Sequence, residues 1–311
     1  MLLRSNNRTE YAMTGEFLTS LTPEHKKFLV DLFKDGVSFD PKVLRVYASD
    51  ASLLTGTVLA MVRPESAGQL CEFMRWADAE HVAVHPRGRG TSLSGGCVPT
   101  VPGIVVSMLG MDKIIEINKE DFVAVVEPGV NTALLQAECE KLGMFYPPDP
   151  ASGKATSVGG NVITCAGGLR AVKYGVTRDY VLGLEAVLPG GELVKFGGRS
   201  HKDVIGLDLG RLFVGSEGTL GIVTRLILKL LPRPEASASV LVGYPSLDAA
   251  LASMSKVFAA GILPCAVEFM NETVLEILAR TGEVPWPDSV KSLLLFQVDG
   301  SKDTVPLENA R

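Results

Sequence analysis

Glycine is concentrated in three short segments of this chain, at residues 86–96, 157–168 and 215–221. The first segment reads PRGRGTSLSGG and has serine and threonine between its glycines. A backbone without Cβ atoms can approach an anion closely, and successive N–H groups can converge on a phosphate. We therefore interpret the first segment as a phosphate-binding loop. A flexible surface loop is the alternative that the same composition allows.

Two common phosphate-binding motifs fit this loop poorly. The dinucleotide fingerprint of Rossmann folds needs glycine at three fixed places, and here Gly88 and Gly90 match but Leu93 occupies the third. A P-loop needs Gly-Lys-Ser/Thr at its end, whereas Gly95 is followed by Gly96. No helix start is indicated after the loop. Nicotinamide binding in a Rossmann fold and ATP binding in a P-loop are therefore both disfavoured.

The composition is that of an ordinary globular protein, with 46% hydrophobic residues, 21% charged residues and a formal net charge of −5. Because there is no basic excess, nucleic acid is not expected as a partner. No apolar run approaches the length of a membrane helix, roughly 18 residues, and residues 1–20 lack the apolar stretch of a signal peptide. We expect a cytoplasmic protein without a transmembrane segment, with peripheral attachment to the inner face of the membrane as the alternative.

The chain has five cysteines: Cys71, Cys97, Cys139, Cys165 and Cys265. They are far apart and form no CxxC pair, so we expect reduced, mostly buried thiols rather than a disulfide framework, a zinc ribbon or an iron–sulfur cluster. His81 and His85 share one face of a predicted strand, but no third ligand accompanies them. No metal site is predicted.

Hydrophobic periodicity, helix caps and turn residues predict a mixed order of helices and strands. The predicted elements are helix 22–36, strand 57–62, helix 66–80, strands 82–85 and 104–107, a hairpin over 113–126, helix 131–143, a hairpin over 181–196 and a long strand ending near residue 231. After Pro232-Arg233-Pro234 the pattern becomes strand 239–244, helix 246–260, strand 264–269, helix 271–279 and strand 293–298. Residues 301–311 carry no core pattern. We expect an α+β protein with two domains, 1–234 and 235–311.

The order of the glycine segments is characteristic of one family. Pro148-Asp149-Pro150 lies between the first two segments, Lys173-Tyr174-Gly175 follows the second, and the third continues as GSEGTLGIVT. Together they resemble the FAD-linked oxidases typified by vanillyl-alcohol oxidase and p-cresol methylhydroxylase. Within this family the similarity is strongest to the branch of glycolate oxidase and D-lactate dehydrogenase, and it extends over residues 45–311.

This resemblance implies the function of each domain. Residues 1–234 are expected to form a p-cresol methylhydroxylase-type FAD-binding domain of two α/β subdomains, preceded by an N-terminal helical segment. Residues 235–311 are expected to form a partial, truncated α+β cap domain on the substrate side. The implied cofactor is non-covalent FAD, because Thr91 occupies the position at which some relatives carry a covalently linked histidine.

The residues that match the family's FAD-binding segments are the candidate cofactor site. They are Pro86, Arg87, Gly88, Arg89, Gly90, Thr91, Ser92, Gly95, Gly96, Pro150, Ser152, Ser157, Gly159, Gly160, Asn161, Ala166, Gly168, Tyr174, Glu217, Gly218 and Ile222. We expect main-chain N–H groups of the first loop, and of the helix that starts near Gly159, to bind the diphosphate. Arg87 and Arg89 are expected to add positive charge. Glu217 is interpreted as a buried carboxylate that holds its loop through backbone donors.

The resemblance also implies the oxidation of a small 2-hydroxy acid such as glycolate or D-lactate, with hydride transfer to flavin N5. The electrons would then pass to a quinone or to an acceptor protein such as an iron–sulfur subunit. No catalytic residue is assigned, since the family's GDGN-H-type motif with its proposed catalytic histidine is absent and the last histidine is His201.

Two alternatives follow from the missing motif. The first is an FAD-binding fragment or subunit of a split enzyme, inactive without a C-terminal partner. The second is another chemistry on the same fold, such as oxidation of an aldonolactone, an alkylglycerone phosphate or an amine.

The residue at position 91 leads to the first testable prediction. Because threonine cannot form the covalent flavin link of a histidine, acid denaturation followed by centrifugation should leave the yellow colour in the supernatant. Flavin that stays with the precipitated protein would contradict non-covalent binding.

Overall fold

The computed structural model describes residues 17–282, 286–287 and 289–306. The ends of both predicted domains, residues 1–16 and 307–311, lie outside this range. The chain divides into two compact units. Unit 1 contains the described residues up to Glu138, together with Ser152–Cys165 and Val181–Lys229. Unit 2 contains Cys139–Ala151, Ala166–Tyr180 and the described residues from Leu230 onward.

The described residues form the strands β1 Val37–Ser38, β2 Val58–Val62, β3 Ala83–Arg87, β4 Gly103–Ser107, β5 Ile114–Asn118, β6 Val123–Val126, β7 Met144–Phe145, β8 Val181–Val187, β9 Leu193–Gly197, β10 Ile222–Lys229, β11 Leu231–Pro232, β12 Ala236–Tyr244, β13 Ala266–Met270 and β14 Ser292–Gly300. The helices are α1 Pro23–Phe33, α2 Pro41–Tyr47, α3 Ala67–Ala79, α4 Thr132–Lys141, α5 Val158–Ile163, α6 Ala171–Tyr174, α7 Gly210–Phe213, α8 Leu247–Ala259 and α9 Glu272–Thr281.

The first sheet of unit 1 has the strand order β1-β2-β4-β3. Strand β4 pairs in parallel with both β2 and β3, whereas β1 is antiparallel to β2. The crossover between β2 and β3 is α3, whose first turn is capped by the Ser66 hydroxyl accepting from the Gln69 N–H. Strand β3 lies at the edge of the sheet, and the first glycine segment begins where this strand ends.

The core of the first sheet is aromatic and aliphatic. Phe33 of α1 and Phe73 of α3 make an edge-to-face contact with ring centroids 5.6 Å apart. Leu29, Leu70 and Ile104 are fully buried beside them. This packing fixes α3 against the sheet and thereby fixes the end of β3 that carries the glycine loop.

The second sheet of unit 1 is antiparallel throughout, with the order β5-β6-β10-β8-β9. Its central strand β10 has Leu226 and Leu228 fully buried. The third glycine segment leads directly into β10. Both predicted hairpins are present, as β5–β6 and β8–β9.

Unit 2 is built around a three-stranded antiparallel sheet with the order β12-β14-β13. The central strand β14 pairs with both neighbours, and its Leu293 and Leu294 are buried. The short strands β7 and β11 form a separate antiparallel pair. This arrangement confirms the predicted strand–helix–strand–helix–strand order after the proline pair.

Three details differ from the sequence prediction. Strand β12 begins at Ala236 rather than residue 239, because main-chain pairing with β14 extends through small residues that give no apolar signal. The long strand predicted to end near residue 231 stops at Lys229, and Leu231–Pro232 pairs with β7 instead. Val305 is buried against Ile262, so the prediction that the last residues carry no core position is wrong there.

Among the described residues, none of the helices combines the length and the apolar character needed to span a bilayer.

The first core gives a stability prediction. Phe73→Ala removes a fully buried ring and should lower the free energy of unfolding by about 3–5 kcal/mol. Leu207→Ala, at a side chain that is 84% exposed, should change it by no more than about 0.5 kcal/mol. Denaturant titration of both variants measures the difference, and equal midpoints would contradict the assigned core.

Candidate functional site

The glycine segments of unit 1 lie in direct contact. A Cβ atom on Gly88 would be 2.5 Å from the Ser157 hydroxyl, and a Cβ atom on Gly96 would be 3.1 Å from a Glu217 carboxylate oxygen. The absence of side chains at these glycines therefore allows the segments to pack closely, although 60 residues lie between the first and second segments and 46 between the second and third.

The first loop offers a row of main-chain donors. The N–H groups of residues 88–93 donate no hydrogen bond to any residue that the structure describes. The loop is nevertheless held at several points: Gly90 accepts from the Ala51 N–H, the Ser92 and Ser94 hydroxyls are 2.8 Å apart, and the backbone at Gly95 packs on Leu54. Such an ordered loop with unpaired N–H groups can bind an anion.

The start of α5 differs from the expectation. Ser157 caps the helix by accepting from the Gly160 N–H, while the N–H groups of Val158 and Gly159 donate to the carbonyls of Val130 and Pro128. A Cβ atom on Gly159 would overlap the Pro128 side chain. These donors therefore have partners within the protein, and Gly159 allows close packing on Pro128 rather than close approach to a ligand.

The third segment is tied to the same helix. Gly215 and Glu217 donate their N–H groups to the carbonyls of Val162 and Ile163. The Glu217 side chain is exposed, and its carboxylate accepts no hydrogen bond from the described residues. The interpretation of Glu217 as a buried acceptor of backbone donors is therefore wrong; its main chain, and not its carboxylate, holds the loop.

A buried polar relay connects the first loop to α5. The Thr91 hydroxyl lies 3.3 Å from that of Thr156, which donates to the Asn161 side-chain oxygen at 3.0 Å. The Asn161 amide then donates to the Thr132 hydroxyl at 2.7 Å. Asn161 thus orders the segments from inside. Ser152 also orders this region, since its carbonyl accepts hydrogen bonds from the N–H groups of Ala155 and Thr156.

The two arginines of the first loop have different surroundings. Arg87 is 7% exposed, and its guanidinium contacts the Cys97 sulfur, the Val46 carbonyl and the Tyr47 ring. Arg89 is exposed. Burial raises the pKa of the neighbouring Cys97 thiol, and the Arg87 charge opposes that shift. The Arg87 guanidinium is therefore held inside the protein and the Arg89 side chain is exposed, and their expected addition of positive charge to the cofactor site stays a prediction.

Two adjoining cavities border these segments. A cavity of about 920 Å³ runs along α3, β3 and the turn between β8 and β9, within the size range of ligand pockets. A narrow cleft lined by Gly88 and Ser157 adjoins it, and Pro86, Gly218 and Ile222 line both. The arrangement fits an elongated ligand that carries phosphate.

The other predicted site residues lie in unit 2. The Ala166 carbonyl accepts both the N–H and the hydroxyl of Thr177. A Cβ atom on Gly168 would overlap the Asp149 carbonyl, so Gly168 permits close contact with the predicted proline segment. Pro150 is buried in that segment.

Tyr174 belongs to an ionic cluster that the sequence did not reveal. Its hydroxyl donates to one Asp299 carboxylate oxygen at 2.8 Å, and the Lys173 ammonium binds the other at 2.6 Å. Lys173 also donates to the Asp299 carbonyl at 2.5 Å. Burial, followed by the bond to Asp299, raises the pKa of Tyr174. Burial and the Asp299 charge raise the pKa of the adjacent Cys265 to about 11.

Sequence reasoning missed Asp299 because its partners are more than 120 residues away along the chain. The available signal was a carboxylate at the end of a strongly apolar strand, where only a paired charge is tolerated. The Asp50–Cys97 contact near Arg87 was also missed, at 3.8 Å between the thiol sulfur and a carboxylate oxygen.

Two family models match the chain. The FAD binding domain matches residues 58–197, and the FAD linked oxidases, C-terminal domain, matches residues 233–311. These matches confirm FAD as the cofactor that the sequence predicts.

Several curated proteins are similar to this chain. It is 44% identical over 246 residues to glycolate oxidase subunit GlcD of Bacillus subtilis, an alignment that covers 79% of this chain and 52% of that protein. It is 39% identical over 249 residues to D-lactate dehydrogenase of Anaerostipes hadrus, covering 78% and 52%. It is 37% identical over 228 residues to D-2-hydroxyglutarate dehydrogenase of Stutzerimonas stutzeri, covering 73% and 49%. The chain spans about half the length of these relatives.

Among solved structures, the chain resembles alkyldihydroxyacetonephosphate synthase, with a TM-score of 0.80 at 21% identity. The match covers 93% of this chain and 58% of that one. At this identity the likeness bears on the fold alone, and it confirms the predicted α+β class.

The ionic cluster gives a prediction for unit 2. Lys173→Met leaves the buried Asp299 carboxylate without its cation and should lower the free energy of unfolding by about 3–5 kcal/mol. The double variant Lys173→Met, Asp299→Leu should recover much of that loss, because neither charge then stays unpaired.

The control for this cycle is Arg199→Met, which breaks an exposed ion pair with Glu116 and should have a smaller effect. Denaturant titration of the wild type, Lys173→Met, Asp299→Leu and the double variant measures the coupling, with Arg199→Met alongside. Additive losses in the double variant would contradict a buried, coupled pair.

Proposed function

Since the chain belongs to the FAD-linked oxidases, we propose that it binds FAD non-covalently through the glycine segments of unit 1 and serves the oxidation of a 2-hydroxy acid. The observation that carries this proposal is the row of unpaired N–H groups at residues 88–93, which starts at Gly88 in the wall of the narrow cleft. No described side chain uses these donors, so they are available to the diphosphate.

The two cavities suggest which part of FAD lies where. Gly88 in the wall of the narrow cleft carries the first of the unpaired donors, so we place the diphosphate along the loop that starts there. The larger cavity is lined mainly by apolar groups such as Val84 and Met74, and it suits an aromatic ring system. The contributions of Pro150, Ala166, Gly168 and Tyr174 in unit 2 belong to the same proposal and rest on the sequence.

The substrate class follows from the relatives. Their names specify glycolate, D-lactate and D-2-hydroxyglutarate, which share a carboxylate next to a hydroxyl-bearing carbon. Bound FAD supplies the two-electron acceptor for such an alcohol. We propose glycolate or D-lactate as the substrate, and a protein subunit or a quinone as the final electron acceptor. The domain division at residue 234 and a cytoplasmic location are parts of the same proposal.

Asp299 and His201 are already engaged and are poorly suited to be the base that removes the hydroxyl proton. Asp299 is 7% exposed and its carboxylate is already bound by Lys173 and Tyr174. His201 is bonded through Nε2 to the Asp121 carbonyl. General-base catalysis typically contributes about 10²–10⁴-fold, so we expect slow reduction by these residues alone.

The experiment has two stages. Titration of the protein with FAD should quench flavin fluorescence with a stoichiometry of one. Anaerobic mixing of the FAD-loaded protein with glycolate or D-lactate should leave the flavin oxidised over minutes and bleach it over hours, faster than L-lactate or buffer does. A protein that never binds FAD contradicts the cofactor proposal. A flavin that binds but is bleached no faster by any of these acids than by buffer contradicts the substrate proposal.

A further inference from the structure

The guanidinium of Arg87 is a buried cation without a carboxylate partner. Among the described residues its contacts are a sulfur at 3.4 Å, a carbonyl at 3.5 Å and an aromatic ring at 5.5 Å. These neutral partners only partly offset the cost of burying a charge. Asp50 is the nearby acid, but it reaches Arg87 only through the Cys97 thiol.

Arg87 lies behind the glycine loop, on the side away from solvent. It is the last residue of β3, and its side chain folds back under Gly90. A Cβ atom on Gly90 would occupy the position of the guanidinium, and the Gly90 φ of 67° is a conformation that favours glycine. The loop therefore bends over the Arg87 side chain.

The contacts of Arg87 join the two ends of the loop to the scaffold. One guanidinium nitrogen donates to Cys97, which follows the loop, and another donates to Val46 at the end of α2. The planar guanidinium carries N–H donors that point in two directions, so it can bond both Cys97 and Val46. A lysine ammonium does not reproduce this geometry. Asp50 continues the bridge, since it accepts from the Cys97 thiol and from the Ser52 N–H.

We propose that Arg87 is a positioning residue: from beneath the glycine loop it holds the N–H groups of residues 88–93 in the shape that binds the FAD diphosphate, and its positive charge strengthens that site from behind. The inference rests on the proposed FAD function and adds a role to a side chain that does not itself touch the cofactor. Arg63, which is exposed just after β2 and lies outside the glycine segments, is the control arginine without this role.

The test measures FAD dissociation constants for Arg87→Lys, Arg87→Gln, Gly90→Ala and Arg63→Gln. Arg87→Lys keeps the charge but loses the planar guanidinium, so its dissociation constant should rise at least about tenfold, the effect of losing one charge-assisted hydrogen bond. Arg87→Gln should weaken binding by at least as much. Arg63→Gln should change affinity by less than about threefold.

A double-variant cycle tests whether Arg87 acts through the loop at Gly90. Gly90→Ala displaces the Arg87 side chain, so the pair Arg87→Lys, Gly90→Ala should bind FAD no more weakly than Gly90→Ala alone. The two phosphorus resonances of bound FAD should shift in Arg87→Lys and stay in place in Arg63→Gln. Circular dichroism and thermal unfolding verify that the variants are folded, and if Arg87→Gln fails to fold, Arg87→Lys and Gly90→Ala carry the test.

The outcomes are distinct. Additive losses in the cycle would show that Arg87 contributes to binding independently of the loop at Gly90 and would overturn the proposal. So would an Arg87→Lys variant with reduced thermal stability but unchanged FAD affinity and phosphorus resonances, or a loss in Arg63→Gln equal to that in Arg87→Lys. A wild-type protein that does not bind FAD contradicts the proposed function instead, because the inference applies only to a site that binds.

Discussion

Close approach to the main chain at glycine positions is the constraint on which the rest of unit 1 depends. At Gly88, Gly159 and Gly218, an added Cβ atom would lie closer than ordinary contact distance to Ser157, Pro128 and Pro86 respectively. The segments can therefore pack on one another only because these positions lack side chains. The N–H groups at the start of α5 have partners within the protein, whereas those of the first loop have none among the described residues. The surface proposed for the cofactor is thus made chiefly of main chain.

The buried charged side chains of the two units have different kinds of partner. In unit 2, Asp299 has its charge matched by Lys173 and its second oxygen bound by Tyr174. In unit 1, Arg87 has only neutral partners in direct contact. A satisfied pair mainly ties segments together, and removing one member leaves an unpaired charge. An unsatisfied cation beneath a row of N–H groups favours an anion at that place, which is the property a diphosphate site requires.

Local signals allowed much of the fold to be predicted. The Ser66 and Asn131 caps, the two hairpins and the strand–helix alternation after Pro234 depend on neighbouring residues, and the structure contains all of them. The cofactor-binding role of the candidate site residues stays a prediction. The surroundings of these residues could be predicted only in part. The orientation of the Arg87 side chain and the ion pair of Asp299 depend on contacts between residues that are far apart in the sequence. Such contacts cannot be predicted from the hydrophobic periodicity of a single segment.

The family comparison and the geometry address different parts of the reaction. Membership in the FAD-linked oxidases concerns the cofactor and the class of chemistry, whereas the described residues show which polar groups are already engaged. Asp299, Asn161 and the α5 donors all have internal partners. A base or a carboxylate ligand cannot be assigned to groups whose hydrogen bonds already hold the fold, because recruiting them would leave buried partners unsatisfied. The donors at residues 88–93 have no such engagement among the described residues, which is why the proposal places the cofactor there.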